Sequence, residues 1–306
     1  MTKKIVVLLL VFIPLAVLVY YFVPPVVGKS MLNKAAKTSG FEKKTIIVDG
    51  HAISYLESGQ GEAIVLLHGF GARKEDWLAF GSGLRNDYRI IIPDLPGFGE
   101  SAKKDGASYS VASQAKRLND FIGALQIARA HFAGNSLGAA IVGKLAADNP
   151  DKVQTLTLLD AACVAGAQPS EMQLLMEQGK NVLSPKNREE MDALLDMVFN
   201  KKPVIPFVLM EYLVREAIAE SSFREKVAHE IWKEEKYALE NDSSKIKAKT
   251  LIIWGQNDRL THISGAEILQ RCIGNSRVVL IADCGHSPML EKPAETLNAF
   301  LNFIKE

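Results

Sequence analysis

The sequence predicts an α/β fold with a mostly parallel central sheet, helices on both faces and an inserted helical cap. Three observations carry that prediction. Short, largely apolar runs recur at 63–67, 89–92, 153–159, 250–254 and 277–281, as expected of strands buried on both faces of a parallel sheet. Helix-favouring stretches fall between them, including 111–125 and 293–304. The alternation breaks once, over 162–243, where amphipathic helical stretches appear at 170–178, 189–199, 206–220 and 223–239 without any strand-like run. A helical block between two strands reads as a cap over the carboxyl edge of the sheet, where open α/β sheets bind their ligands. The sheet body is then 44–161 together with 244–306.

The N-terminus stands apart from this pattern. Lys3-Lys4 precede an uncharged run over 5–27, interrupted by Pro14 and Pro24-Pro25. Its apolar part, 5–23, is close to the ~20 residues that cross a bilayer and longer than the roughly 7–15 of a signal-peptide core. Tyr20-Tyr21-Phe22 sit where an interfacial aromatic belt would fall. Residues 1–28 are therefore expected to be a single-pass membrane anchor, with a cleaved signal and a secreted body as the alternative. The body is expected on the non-cytoplasmic side, as Lys3 and Lys4 favour, although Lys29, Lys34 and Lys37 pull the other way. Residues 29–43 read as a short amphipathic linker.

Composition narrows the partners. Of 306 residues 48% are apolar, enough for a sizeable core, and the net charge is +1. Without Lys3, Lys4 and Lys29, 33 basic side chains face 35 acidic ones, and no basic run suggests nucleic acid as a partner. Cys163, Cys272 and Cys284 have no metal-ligand spacing, and Cys272–Cys284 is the one pairing the spacing leaves open. His229-Glu230 lacks the second histidine of a zinc motif, so no metal or cofactor is expected. Gly97-Phe98-Gly99-Glu100-Ser101-Ala102 matches a dinucleotide pattern only loosely, and with Pro96 before it a turn is the better reading.

Within the body, 45–48 and 53–56 around Asp49-Gly50 read as a β-hairpin. The strand at 63–67 runs into His68-Gly69-Phe70-Gly71. A short segment, 130–133, leads into Gly134-Asn135-Ser136-Leu137-Gly138, and an Ala-rich helix-favouring run follows. Strand, tight turn with serine at the apex, then helix is the arrangement that exposes a nucleophile. Glycine is needed on either side because strand and helix crowd at the turn.

A nucleophilic Ser136 requires a base, an orienting acid and oxyanion donors at strand ends, in the chain order serine, acid, histidine. Asp258 follows the strand at 250–254 within Gly255-Gln256-Asn257-Asp258, and His286 follows the strand at 277–281. Asp160, at the end of the strand after the serine helix, is the rival acid. His262 competes with His286 but opens a helix, where capping is the simpler role; His51, His131 and His229 read as structural. The amides of Leu137 and Phe70 are the expected oxyanion donors. Gly69, Phe70 and Asn135 are expected to contact substrate. The cap's Met172, Met176, Met191, Met197, Phe199, Phe207, Met210, Tyr212 and Trp232 would together roof an acyl chain.

With these motifs assembled, residues 44–306 resemble the α/β-hydrolase superfamily. The resemblance rests on His68-Gly69, Asp94-Leu95-Pro96-Gly97-Phe98-Gly99, Gly134–Gly138, Gly255–Asp258 and Gly285-His286 in that order. The stretches His68–Trp77 and Gly134–Gly138 are similar to bacterial lipases akin to the membrane-anchored monoacylglycerol lipases. That implies hydrolysis of short- to medium-chain carboxylic esters, on small-molecule or lipid substrates. Ala139 departs from the second glycine usual there. Serine at 136 argues against epoxide hydrolases and dehalogenases, which place aspartate at that position. The Gly-Asn-Ser turn is also similar to that of carbon–carbon bond hydrolases of aromatic degradation. A binding protein on a hydrolase scaffold is the non-enzymatic alternative.

Overall fold

A computed structural model describes residues 23–306. The membrane span expected over 5–23 falls, except for its last residue, outside the described residues. Among the described residues no helix is long and apolar enough to cross a membrane.

Eight strands form one sheet in the order β1-β2-β4-β3-β5-β6-β7-β8. β1 (Glu42–Val48) and β2 (His51–Ser58) are the expected hairpin, and β2 also runs antiparallel to β4 (Arg89–Pro93). From β4 onward every pairing is parallel, through β3 (Ala63–Leu67), β5 (Ala130–Asn135), β6 (Val153–Leu159), β7 (Lys249–Gly255) and β8 (Ser276–Ile281). The continuous apolar runs are explained by this position: β3 and β5 are buried at every residue because helices cover both faces.

The two faces have separate cores. On one, α3 (Val111–Ala124) and the largely apolar α4 (Leu137–Asp148) pack Leu118, Phe121, Ile141 and Leu145 against Val65, Phe132 and Leu156. On the other, α2 (Leu78–Ser82) and α12 (Pro293–Ile304) contribute Phe80, Phe300 and Phe303 against Ile64, Leu66 and Ile253. Between β6 and β7 come α5 (Glu171–Glu177), α6 (Arg188–Val198), α7 (Phe207–Ala219), α8 (Ser221–His229) and α9 (Ala238–Ser243). Two clusters belong to this block, one around Met172, Leu183 and Met197 and one around Met191, Met210 and Val214.

Three expectations change. Residues 23–38 form a helix, α1, so the segment read as a linker from 29 onward is docked structure. Ala36 and Phe41 are buried, Lys29 pairs with Glu100 at 3.1 Å, and a Cβ on Gly28 would lie 2.4 Å from Cβ of Tyr212. The helix expected over 223–239 breaks after α8 into one π-helical turn, Glu230–Glu234, and a separate α9. Glu230 and Glu235 there accept the amides of Tyr109 at 2.9 Å and Val111 at 2.5 Å. Their carboxylates serve the start of α3. The Cys272–Cys284 pairing is not formed: all three cysteines are free. The remaining helices are α10 (Ser264–Cys272) and α11 (Pro288–Glu291).

Candidate active site

Ser136 sits between the last residue of β5 and the first of α4, with φ 57° and ψ −117°. A left-handed non-glycine residue costs on the order of 1–3 kcal/mol and persists where its surroundings enforce it. Here the Ser136 amide donates to the Leu159 carbonyl at 2.9 Å, and its own carbonyl accepts Ala139, Ala140 and Ala162 amides at 3.0–3.2 Å. The crowding is steric as well: a Cβ on Gly134 would lie 2.3 Å from the Gly138 carbonyl oxygen, and one on Gly138 2.5 Å from that of Leu67. Neither position can hold a side chain, whereas Ala139 is accommodated fully buried.

β7 and β8 deliver the other groups. Asp258 Oδ1 accepts the amides of Leu260 at 2.8 Å and Thr261 at 3.1 Å. Its Oδ2 accepts Thr261 Oγ1 at 2.6 Å and faces His286 Nδ1 at 2.8 Å. Burial opposes ionisation of Asp258, but the charge and hydrogen bond of His286 and the Thr261 donors outweigh it and hold the carboxyl below its usual range. A ring with Nδ1 donating to that carboxylate leaves Nε2 as its basic nitrogen. The His286 loop is held by its main chain: the His286 amide donates to Val198 O at 2.7 Å, and Asn135 Nδ2 donates to His286 O at 2.9 Å. Glu291 accepts the Gly285 amide at 2.9 Å and those of Asn200 and Lys201 at 3.1 and 2.7 Å, fastening this loop to the cap.

The loop after β3 passes over the serine. A Cβ on Gly69 would lie 3.0 Å from Ser136 Cβ. His68 is fully buried and burial pushes it down to about 4, so it is neutral, with Nδ1 on the Gly69 carbonyl at 2.8 Å and Nε2 accepting the Leu95 amide at 2.9 Å. Behind the loop, buried Lys74 joins Asp94 at 2.7 Å and Glu100 at 3.1 Å. Arg73 pairs with Glu216 of α7 and lies over the Tyr212 ring. Leu137 opens α4, so its amide has no carbonyl one turn back, and the amide of Phe70 meets no backbone acceptor among the described residues. The Phe70 ring packs edge-on against Phe98 at 5.2 Å and Trp232 at 5.1 Å.

Ser136, His286, Gly69, Phe70 and Asn135 all line one cavity of about 340 Å³. Its far walls are apolar cap residues such as Met172, Val198, Leu209 and Leu213, and Leu32 of α1. The two rival residues are close by, and His262 lines the same cavity. His262 Nδ1 is engaged with Ser264 at the start of α10. Asp160 reaches the neighbourhood of His286, but it is Asp258 that accepts the hydrogen bond from the ring. Oxygens of Asp160 and Asp258 and a ring nitrogen of His286 lie within 4.8 Å, the one such cluster among the described residues. Thr261, Glu291 and Arg73 escaped sequence reasoning, because each acts through contacts that no local motif encodes.

The sequence profile of the α/β hydrolase fold family matches residues 62–293. Monoacylglycerol lipase ABHD6 of Mus musculus is 31% identical over 259 residues, spanning 80% of this chain and 76% of that one. Lipase 1 of Psychrobacter immobilis is 31% identical over 266 residues, spanning 85% and 83%. A crystal structure of a membrane phospholipase A, described as a bacterial virulence factor, superposes with a TM-score of 0.90 at 36% identity, covering 99% of this chain and 98% of that one. The chain belongs to the α/β hydrolase fold family, among its lipases.

Proposed function

We propose that this chain hydrolyses carboxylic esters of lipids through Ser136, His286 and Asp258. The observation that carries the reading is the buried 2.8 Å contact of His286 Nδ1 with Asp258, on a ring that opens into the same cavity as Ser136. Nε2 of His286 takes the proton as Ser136 Oγ attacks the ester carbonyl carbon. The oxyanion that forms points at the amides of Phe70 and Leu137. Collapse expels the alcohol, which receives the proton from His286, and leaves an acyl-enzyme. Water, deprotonated by His286, attacks that ester and releases the acid and Ser136. Asp258 stays ionised throughout and stabilises the imidazolium. The acyl chain lies against the apolar wall of the cap, which suits a short- to medium-chain acylglycerol. Similarity to a membrane phospholipase A along almost the whole chain adds phospholipids as a second substrate class.

The apolar run at 5–23 and that same similarity to a membrane protein support an N-terminal anchor, and Lys3 and Lys4 ahead of the run favour a body on the non-cytoplasmic side. Hydrolysis of a p-nitrophenyl ester chain-length series by the full chain in detergent, beside Ser136→Ala, tests the reaction. Turnover abolished in Ser136→Ala, by about 10⁶-fold in kcat, is expected. Fluorophosphonate labelling of Ser136 without turnover of any ester would overturn the substrate class and favour carbon–carbon bond cleavage.

A further inference from the structure

Two carboxyl groups stand behind His286, and the mechanism above uses only one. Asp160 directly follows β6, with φ 45°, and is completely buried. Its Oδ1 accepts the Gly255 amide at 2.8 Å, and its Oδ2 has no hydrogen-bond partner among the described residues. Asp258, by contrast, is served by two amides, a hydroxyl and the imidazole. One oxygen from each carboxyl and a ring nitrogen of His286 lie within 4.8 Å of one another.

Two buried carboxyls this close do not both ionise, and the proton goes to the one with fewer donors. Four donors against one place the charge on Asp258. An ionised Asp160 would bury a charged oxygen with no partner, whereas a protonated one has a hydroxyl to give. We infer that Asp160 is a neutral carboxylic acid that donates a hydrogen bond to Asp258 and so acts as a positioning residue for the relay. This rests on the Ser136–His286–Asp258 reading. Burial, and then the neighbouring Asp258 charge, raise the Asp160 carboxyl well above its ordinary range, in the same direction.

A neutral Asp160 has a consequence that separates it from a charged one. Asparagine copies the shape and neutrality of a protonated aspartate and keeps a donor. The pH profile of kcat/KM for a p-nitrophenyl ester, measured with full-length wild type, Asp160→Asn and Asp160→Ala, therefore decides the matter. Asp160→Asn is expected to keep kcat within about twofold and leave the acid limb of the profile in place. Asp160→Ala removes the donor, so Asp258 becomes more basic, the acid limb moves to higher pH and kcat falls about tenfold, with KM little changed.

If Asp160 is charged in the active enzyme, Asp160→Asn removes a negative charge beside the imidazolium and moves the acid limb to lower pH, which overturns the inference. Wild-type profile and kcat in Asp160→Ala overturn it equally. Fluorophosphonate labelling of each variant guards against misfolding, since a folded variant still labels at Ser136. Absent labelling or turnover in wild type would instead overturn the triad reading itself.

Discussion

The carboxyl edge of the sheet and the cap face each other across one cavity, yet they are held by different forces. At the edge, the Ser136 amide is held by the Leu159 carbonyl of β6, the Asp258 carboxylate by the amides of Leu260 and Thr261, and the His286 main chain by Asn135 and by Val198 of α6, with each side chain within a few residues of a strand end. In the cap, the walls are held by side-chain packing of methionines and leucines and by ion pairs such as Arg73–Glu216. Main-chain bonds between strands fix positions narrowly; apolar packing of flexible side chains tolerates substitution and repacking. On the proposed function, the chemistry belongs to the rigid half and the choice of acyl chain to the adaptable half. Substitutions at the edge should lower kcat for every ester, and substitutions in the cap should change which esters react.

After the loss of Ser136 itself, the largest effect is expected from Asp258→Asn. It keeps the shape of the side chain but favours the wrong imidazole tautomer, and kcat should fall on the order of 10⁴-fold for short and long esters alike. Retention of activity on any one chain length would break the comparison, because it would mean that the edge acts selectively.

Leu213→Trp fills the cap side of the cavity from α7. In wild type, each methylene buried in the cavity should raise kcat/KM roughly fourfold, from about 0.8 kcal/mol per CH₂. The tryptophan should leave p-nitrophenyl acetate unchanged and lower the longest reactive ester about 100-fold, as read from the chain-length series. A uniform loss would show that the cap also sets the chemistry.

Asn135→Ala tests the rigid half more gently. Its Nδ2 donates to the His286 carbonyl and also reaches the Leu159 carbonyl at 3.4 Å. Losing a buried bond of this type is worth about 1–1.5 kcal/mol, so kcat should drop about tenfold with KM within twofold. A dominant rise in KM would instead assign the amide to substrate contact.

The same division explains what could be read from the sequence. Strand ends were legible because the buried strands are largely apolar runs, and those that carry the serine, Asp258 and His286 lead into glycine-containing turns. The elbow, Asp258 and His286 then fell at fixed short offsets from those runs. Helix packing carries no such offset. Residues 29–38 read as a linker because what docks them is small size at Gly28, against Tyr212 of a helix far away in the chain, and the burial of Ala36 in the core beside the sheet. The stretch 223–239 looked like one helix because nothing local shows that Glu230 and Glu235 serve amides at 109 and 111. Thr261 and Glu291 were missed for the same reason: their partners are chosen by the fold.

The smallest effect is expected where the two halves meet, in the loop between β3 and α2. Asp76 lines the cavity and accepts the Arg73 amide at 3.2 Å, while Arg73 itself reaches across to α7. Burial pushes the Asp76 carboxyl up from 3.8 to about 6, and the Arg73 charge only partly offsets it. The folded chain thus binds more protons than the unfolded chain between those values, so stability falls as pH rises from 3.8 to about 6 and is level above that. The loss amounts to at most about 3 kcal/mol, the linkage equivalent of that displacement. Asp76→Asn should match wild type near pH 4 and melt at higher temperature above pH 6, with hydrolysis unchanged within a few-fold. Thermal melts of both proteins across pH 4–8 check this. A variant destabilised at every pH would mean that the Asp76 charge, paired with Arg73, is what ties the loop over Ser136 to the cap.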